Sequence, residues 1–215
     1  MSYTVIIPIY NEINYLPLLM FEISQIVDCK DNQVILVDNN SHDGSLEFIN
    51  KFKRVTNLNI EVYSCLAKGK SNAVRSILLN VKNKTVLLFD ADLEYNLLDS
   101  IKLIEQHTTS NSDMTIGVRE HKLLRSKLAN SWIKACLKLR FGTSPDDILT
   151  GSRVVNISLL QQINGSGFTL ETEITKQILK NKMSYHSTQC RYYPRIIGKK
   201  IKWIDLFKLT LAALK

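Results

Sequence analysis

No apolar run in this 215-residue chain comes near the roughly 20 residues needed to cross a bilayer, so a membrane-spanning helix is not expected. Four cysteines, Cys29, Cys65, Cys136 and Cys190, have neither metal-ligand nor paired spacing and read as reduced thiols of a cytosolic protein. Met1 leads straight into an apolar strand pattern, with no basic leader and no long apolar h-region, so a secretory signal is not expected. Internal repeats, low-complexity tracts and linkers are also missing. With 45% hydrophobic residues, the chain is expected to bury one core in a single domain, residues 1–120 forming one half and 121–215 the other.

What the chain does have is an uneven charge. The formal net charge is +8, yet residues 119–140 and 191–215 each hold seven Lys/Arg and one acid, leaving the remaining body at −4. Basicity concentrated in two segments points to an anionic partner there. Those segments lack interleaved aromatic platforms or a recognisable module, which argues against nucleic acid.

Apolar runs of strand length recur at 4–9, 33–37, 60–63, 85–89 and 114–118, separated by helix-period stretches at 15–26, 46–52, 71–81 and 97–107. Strands alternating with helices predict an α/β fold with a mainly parallel, doubly wound sheet. After residue 120 come a long amphipathic helix over 122–140, with Leu124, Leu128, Trp132, Ala135 and Leu139 on one side, and a helix over 170–179 capped by Thr169. A final amphipathic helix over 203–214 sorts Ile204, Phe207, Leu211 and Leu214 from its charged residues.

Each strand end turns polar where a helix begins, and open α/β sheets bind ligands at that edge. The sharpest case is Leu88-Phe89-Asp90-Ala91-Asp92-Leu93-Glu94. Three carboxylates so close are costly unless a cation lies between them. Hard oxygen donors suit Mg²⁺ or Mn²⁺, held by one or two carboxylates plus substrate phosphates and water.

Four clusters stand in order: Val5-Ile6-Ile7-Pro8-Ile9-Tyr10-Asn11-Glu12, Val37-Asp38-Asn39-Asn40-Ser41-His42-Asp43-Gly44-Ser45, Lys68-Gly69-Lys70-Ser71-Asn72-Ala73 and Phe89-Asp90-Ala91-Asp92. The set resembles glycosyltransferase family 2, inverting enzymes of GT-A fold that use nucleotide-diphosphate sugars. Further on, Thr150-Gly151-Ser152-Arg153, Gly167-Phe168-Thr169-Leu170-Glu171-Thr172-Glu173-Ile174 and Tyr193-Pro194-Arg195-Ile196-Ile197-Gly198-Lys199-Lys200 resemble its polyprenol-phosphate branch, which includes the dolichol-phosphate mannose synthases.

The resemblance implies that Pro8, Tyr10, Glu12, Asp38, Lys68, Lys70, Asp90, Ala91 and Asp92 bind the nucleotide sugar, and that Asp90, Asp92 and Glu94 hold the metal. Glu94 stands where the family often has Gln, and Asn39-Asn40 replace a more frequent Asp-Gly. Asp92, Arg119 and Arg195 are the expected catalytic groups. A phosphate monoester is already largely dianionic at neutral pH, its second pKa being about 6, so such an acceptor needs cations more than a base. Arg119, Arg125, Arg153, Arg195, Lys199 and Lys200 fit that need. The family's Ser-Lys ending is replaced here by Lys200-Ile201-Lys202.

The implied activity is transfer of a hexose from GDP-mannose or a UDP-hexose to a polyprenyl or dolichyl phosphate. The location expected for it is peripheral, on the cytoplasmic face of a membrane, reached by direct docking or through a small membrane subunit as partner. Two alternatives stay open. One is a hydroxyl acceptor on a glycan or protein, with Asp147 or Glu173 as base; the other is an inactive membrane-associated scaffold.

Overall fold

The computed structural model describes residues 2–26, 31–165, 167, 169–195 and 203–214, the last helix by backbone alone over 203–205. Its centre is a seven-stranded sheet in the order β3-β2-β1-β4-β6-β5-β7. The strands are β1 (Thr4–Ile9), β2 (Gln33–Asp38), β3 (Ile60–Ser64), β4 (Thr85–Leu88), β5 (Met114–Arg119), β6 (Arg153–Asn156) and β7 (Tyr185–Cys190). Around them pack α1 (Leu16–Ser24), α2 (Ser45–Val55), α3 (Lys70–Ser76), α4 (Leu97–Ser110), α5 (Leu124–Phe141), α6 (Ile157–Leu160), α7 (Leu170–Lys180) and α8 (Trp203–Leu214). The stretch expected to be helical over 71–81 divides into α3 and a 3₁₀ turn, Leu78–Asn80.

The expected parallel sheet is there, with one reversal: β6 runs antiparallel to both β4 and β5. The central strands are buried on both faces, which is why they read as unbroken apolar runs. Successive side chains of β1 alternate between two cores. Val5, Ile7 and Ile9 meet α1, α2 and α4, while Ile6 joins the core under α3, α6 and α7. Cys65, Cys136 and Cys190 are buried free thiols; Cys29 lies outside the described residues.

The reversal of β6 positions the site. Arg153 pairs with Leu88 on one side and Ile116 on the other, so the start of β6 lies at the carboxyl edge of β4 and β5. Thr150, Gly151 and Ser152 thereby arrive beside the turn that carries Asp90 and Asp92.

One expectation about helices is corrected and another is completed. Thr169 occupies the cap position of α7 but makes no side-chain cap hydrogen bond. On α5, the stripe Leu124, Leu128, Trp132, Ala135, Leu139 faces solvent; the buried face is Ser126, Asn130, Ile133, Cys136 and Leu137. There α5 packs with α7 and with Leu209 and Ala213 of α8 around a third apolar cluster.

Candidate active site

Three loops at the carboxyl edge, after β1, β2 and β4, each contain a non-glycine residue with left-handed backbone: Asn11 (φ 53°), Asn40 (φ 62°) and Leu93 (φ 55°). Asn tolerates that region; a branched residue such as Leu is seldom found there. At Leu93 the fold reverses the chain between two carboxylates, letting the Glu94 amide donate to Asp92 Oδ1 at 3.2 Å. The first two loops are stitched together. The amides of Asn11, Glu12 and Ile13 donate to Ser41 Oγ, Ser45 Oγ and Asp43 Oδ2 at 3.0, 3.1 and 3.0 Å.

These loops, with α3, α7 and the chain after β7, enclose a cleft of about 230 Å³. From the expected set it brings together Pro8, Tyr10, Glu12, Lys70, Asp90, Ala91, Asp92, Glu94, Arg119 and Arg195.

The chain after β7 crosses back over the cleft as a strap. Tyr192 Oη donates to Glu94 Oε2 at 2.8 Å and the Arg195 amide to Glu94 Oε1 at 2.9 Å. The Arg195 guanidinium donates to Asp92 Oδ2 at 2.8 Å and Glu12 Oε2 at 3.0 Å, and its Cζ lies 5.0 Å from the centre of the Tyr15 ring. On the other side, Lys70 Nζ is 2.5 Å from both Asp90 and Glu171. Burial opposes the Lys70 charge, but the two carboxylates outweigh it and raise its pKa. Burial also opposes the Glu171 charge, yet Lys70 and Arg153 hold its carboxyl below the ordinary range. Burial first, then the carboxylates of Asp90 and Glu94, push Asp92 up to about 7 against the pull of Arg195.

Arg119 is not a free cation. Its Nε and Nη2 grip Asp147 bidentately, both at 2.8 Å, Nη1 donates to Ser126 Oγ, and Lys122 joins the same carboxylate at 3.1 Å. The cleft therefore carries five carboxylates, from Glu12, Asp90, Asp92, Glu94 and Glu171, against Lys70, Arg119 and Arg195, with Arg119 already neutralised by Asp147. A diphosphate entering alone would meet net negative charge.

Among the described residues no three His, Cys, Asp or Glu side chains are grouped to hold one ion. The donor chemistry nevertheless fits Mg²⁺ or Mn²⁺, because such ions take one or two carboxylates and complete their shell with phosphates and water. Two cationic side chains, Lys70 and Arg195, sit on the oxygens of Asp90 and Asp92. Gly151 forms part of the cradle: a Cβ there would overlap Asp90 Oδ2. Gly151→Ala is expected to displace that carboxylate and raise the donor KM about tenfold, or ~1.4 kcal/mol, with steady-state kinetics as the check. An unchanged KM would remove Asp90 from the binding site.

Four expected ligands do not reach the cleft. Asp38 is buried, its carboxylate accepting from the amides of Asn40 and Ser41 in its own turn. Asn39 lines the wall instead, and holds the next loop by donating to Cys65 O and Ala67 O and accepting from the Gly69 amide. Lys68 is exposed beside the α3 turn, and Arg125 is exposed on α5. Arg153 is fully buried, its guanidinium donating to the carbonyls of Ile148, Thr150 and Glu171, which makes it a strut of the cleft wall. Lys199 and Lys200 lie outside the described residues. Of the two expected bases, Asp147 is committed to Arg119, and Glu173 pairs with Lys176.

Sequence reading missed Tyr95, whose hydroxyl pairs with Thr150 Oγ1 at 3.0 Å, and chose Glu173 as a candidate base over Glu171 two residues before it. Only a helix facing the cleft with Glu171 could distinguish them. Beyond Arg119 opens a second groove of about 640 Å³, lined among others by Lys122, Lys127, Lys134 and Asn130.

A family model described as Glycosyl transferase family 2 matches residues 4–197. The chain is 24% identical to the dolichyl-phosphate beta-glucosyltransferase of Saccharomyces cerevisiae, over 96% of this chain and 71% of that protein. An uncharacterized protein of Methanocaldococcus jannaschii is 23% identical over 81% of each chain. Among solved structures, the glucosyl-3-phosphoglycerate synthase of Mycobacterium tuberculosis in complex with UDP superposes with a TM-score of 0.77 at 17% identity, covering 99% of this chain and 78% of that one. The mannosyl-3-phosphoglycerate synthase from Rubrobacter xylanophilus gives 0.75 at 18% identity, covering 100% and 72%. The Mycobacterium tuberculosis protein was also crystallised with Mn²⁺, UDP and phosphoglyceric acid.

Proposed function

The chain belongs to glycosyl transferase family 2, and on that premise we propose that it transfers a hexose, with inversion, from a nucleotide-diphosphate sugar to a polyprenyl phosphate. The donor is GDP-mannose or a UDP-hexose, and the enzyme works peripherally on the cytoplasmic face of a membrane. One observation carries the donor half of this reading: a cleft of five carboxylates and three cations, too negative for a diphosphate alone, is suited to a diphosphate that enters with a divalent ion. Asp90 and Asp92, with Glu94 beside them, would hold that ion, and its chemistry there is to neutralise the departing nucleoside diphosphate.

On this reading Pro8, Tyr10 and Asn39 flank the nucleotide, and Lys70 and Arg195 face the diphosphate while keeping their carboxylate partners. An oxygen of the acceptor phosphate bonds to the anomeric carbon as the bond from that carbon to the diphosphate oxygen breaks. No proton has to be removed from a dianionic acceptor. That matches the commitment of the nearby acids, Glu171 to Lys70 and Asp147 to Arg119 and Lys122. In the groove past Arg119, Lys122 and Lys134 are paired with Asp147 and Asp146 and Glu120 joins the wall, so a modest positive excess that includes Lys127 supports an acceptor that carries negative charge. The name of the yeast relative supports a lipid phosphate.

A hydroxyl acceptor is the second reading, favoured by one observation: Glu171 lies in the cleft and could serve as base if Lys70 left it. Release of nucleoside diphosphate from UDP-glucose and GDP-mannose, with Mn²⁺ and with or without polyprenyl phosphate, tests the choice. Stimulation by the lipid is expected; stimulation only by glycan or peptide hydroxyls would transfer the assignment to the second reading.

A further inference from the structure

The helix α5 is apolar on two opposite sides. One side joins the core through Ile133, Cys136 and Leu137. The other presents Leu124 at 73% exposure, Leu128 at 64%, Trp132 at 54% and Leu139 at 86%. Spaced by four, four and seven residues, they form one stripe along the helix. The neighbouring α8 repeats the arrangement: Leu209 and Ala213 are buried, while Phe207, Leu211 and Leu214 are exposed. Trp132 Nε1 donates to Thr210 Oγ1 at 3.0 Å and Arg140 Nη1 to Ala213 O at 3.4 Å, so the helices are tied side by side. Seven of the fifteen large apolar residues exposed in the described chain lie on these two helices. Clustering of that kind marks an interaction surface, since scattered exposure needs no partner.

Charge identifies the partner. The α5 sequence contains no acidic residue, and Arg125, Lys127 and Lys138 are exposed beside its stripe, as is Lys208 on α8. A second copy packed by twofold symmetry would set this cationic rim against itself. An anionic lipid leaflet meets both features, the apolar stripe entering the acyl boundary and the rim the headgroups. No described helix is long and apolar enough to cross a membrane, which leaves an in-plane mode. We infer that the solvent faces of α5 and α8 form one composite surface that docks on an anionic bilayer. The inference rests on the membrane setting of the proposed function and gives it a location: Leu209, on the other face of α8, lines the cleft, and Lys127 and Lys134 of α5 line the groove beyond Arg119. A lipid-borne phosphate would thus have to pass only one helix layer.

Flotation with vesicles of phosphatidylcholine, with and without about a third of phosphatidylglycerol and free of polyprenyl phosphate, tests the surface. The wild-type protein is expected to float with the anionic vesicles. A Leu128→Glu/Leu211→Glu variant should lose roughly tenfold or more of that binding, at an unchanged melting temperature. Should the double variant not fold, Leu139→Glu alone, at the most exposed position of the stripe, is read the same way. In a Trp203→Phe background, Trp132 emission should shift to the blue on binding. Wild-type protein that stays off the vesicles, a variant that binds undiminished, or a dimer that Leu128→Glu splits without any vesicle binding would each overturn the surface. Vesicle binding without lipid-phosphate turnover would sustain it and remove the acceptor; turnover on detergent-dispersed polyprenyl phosphate without vesicle binding would do the reverse.

Discussion

Asp92→Asn should lower turnover by roughly 10²–10³-fold, the usual cost of losing one preorganised electrostatic group at a reacting centre, while the protein stays folded. The fold is expected to tolerate the change because the carboxylate is already held against its preference. Burial and the charges of Asp90 and Glu94 push it up to about 7 against the pull of Arg195 and of the Glu94 amide. Asparagine keeps an oxygen for the Glu94 amide and removes one charge from a crowded cluster. Melting temperature should therefore hold or rise as activity disappears. A purely structural Asp92 would behave oppositely, losing stability along with its bond to Arg195. Turnover and thermal melting on the same preparation separate the two, and turnover within a few-fold of wild type would remove Asp92 from the catalytic set.

Asp147→Asn is expected to do the reverse and strike stability first. The carboxylate is fully buried, receives the Arg119 fork at 2.8 Å and Lys122 at 3.1 Å, and takes the Arg119 amide as well. Breaking a buried pair by removing one partner costs about 3–5 kcal/mol because the other charge is left uncompensated. For a chain of this size that lowers the melting temperature by roughly 10 °C. The pH dependence carries a sign. Burial opposes the Asp147 charge, but the hydrogen bonds and charge of Arg119 and the charge of Lys122 outweigh it, so its carboxyl lies below the ordinary range. A group depressed in this way contributes its stability above the unfolded pKa of about 3.9 and loses it as pH falls through the folded value. Wild-type stability from this pair should be constant from neutrality down to about pH 4 and decline below; the Asn variant should lack that part of the decline. Equal acid sensitivity of the two proteins in urea titrations would show that Asp147 is not the linked group.

The first five strands and the helices between them were legible because β1, β2, β4 and β5 are buried on both faces, half-buried β3 still carries an apolar pattern, and each helix follows a single apolar period. β6 and β7 were not. Arg153–Asn156 offers two apolar residues, and Tyr185–Cys190 is a largely polar edge strand whose hydrogen bonds to β5 define it. The α5 stripe was legible as one side of the helix, but its exposure was not. Periodicity finds an apolar face but does not say which face is covered, and the covered one here includes Asn130, whose side chain holds residues 146–149 through three hydrogen bonds.

Chemistry of the site divides along the same line. Local order along the chain sufficed to place Asp90, Asp92 and Glu94 at a strand end and to mark the family, because residue type and spacing are properties of short segments. Which cation meets which carboxylate was decided by folding. Arg195 reaches Asp92 across 103 positions and Lys70 reaches Glu171 across 101, while Arg153, equally basic in the sequence, is spent on three backbone carbonyls. A charge acts through space within a few ångströms, and that distance exists only once the strands have brought their ends together.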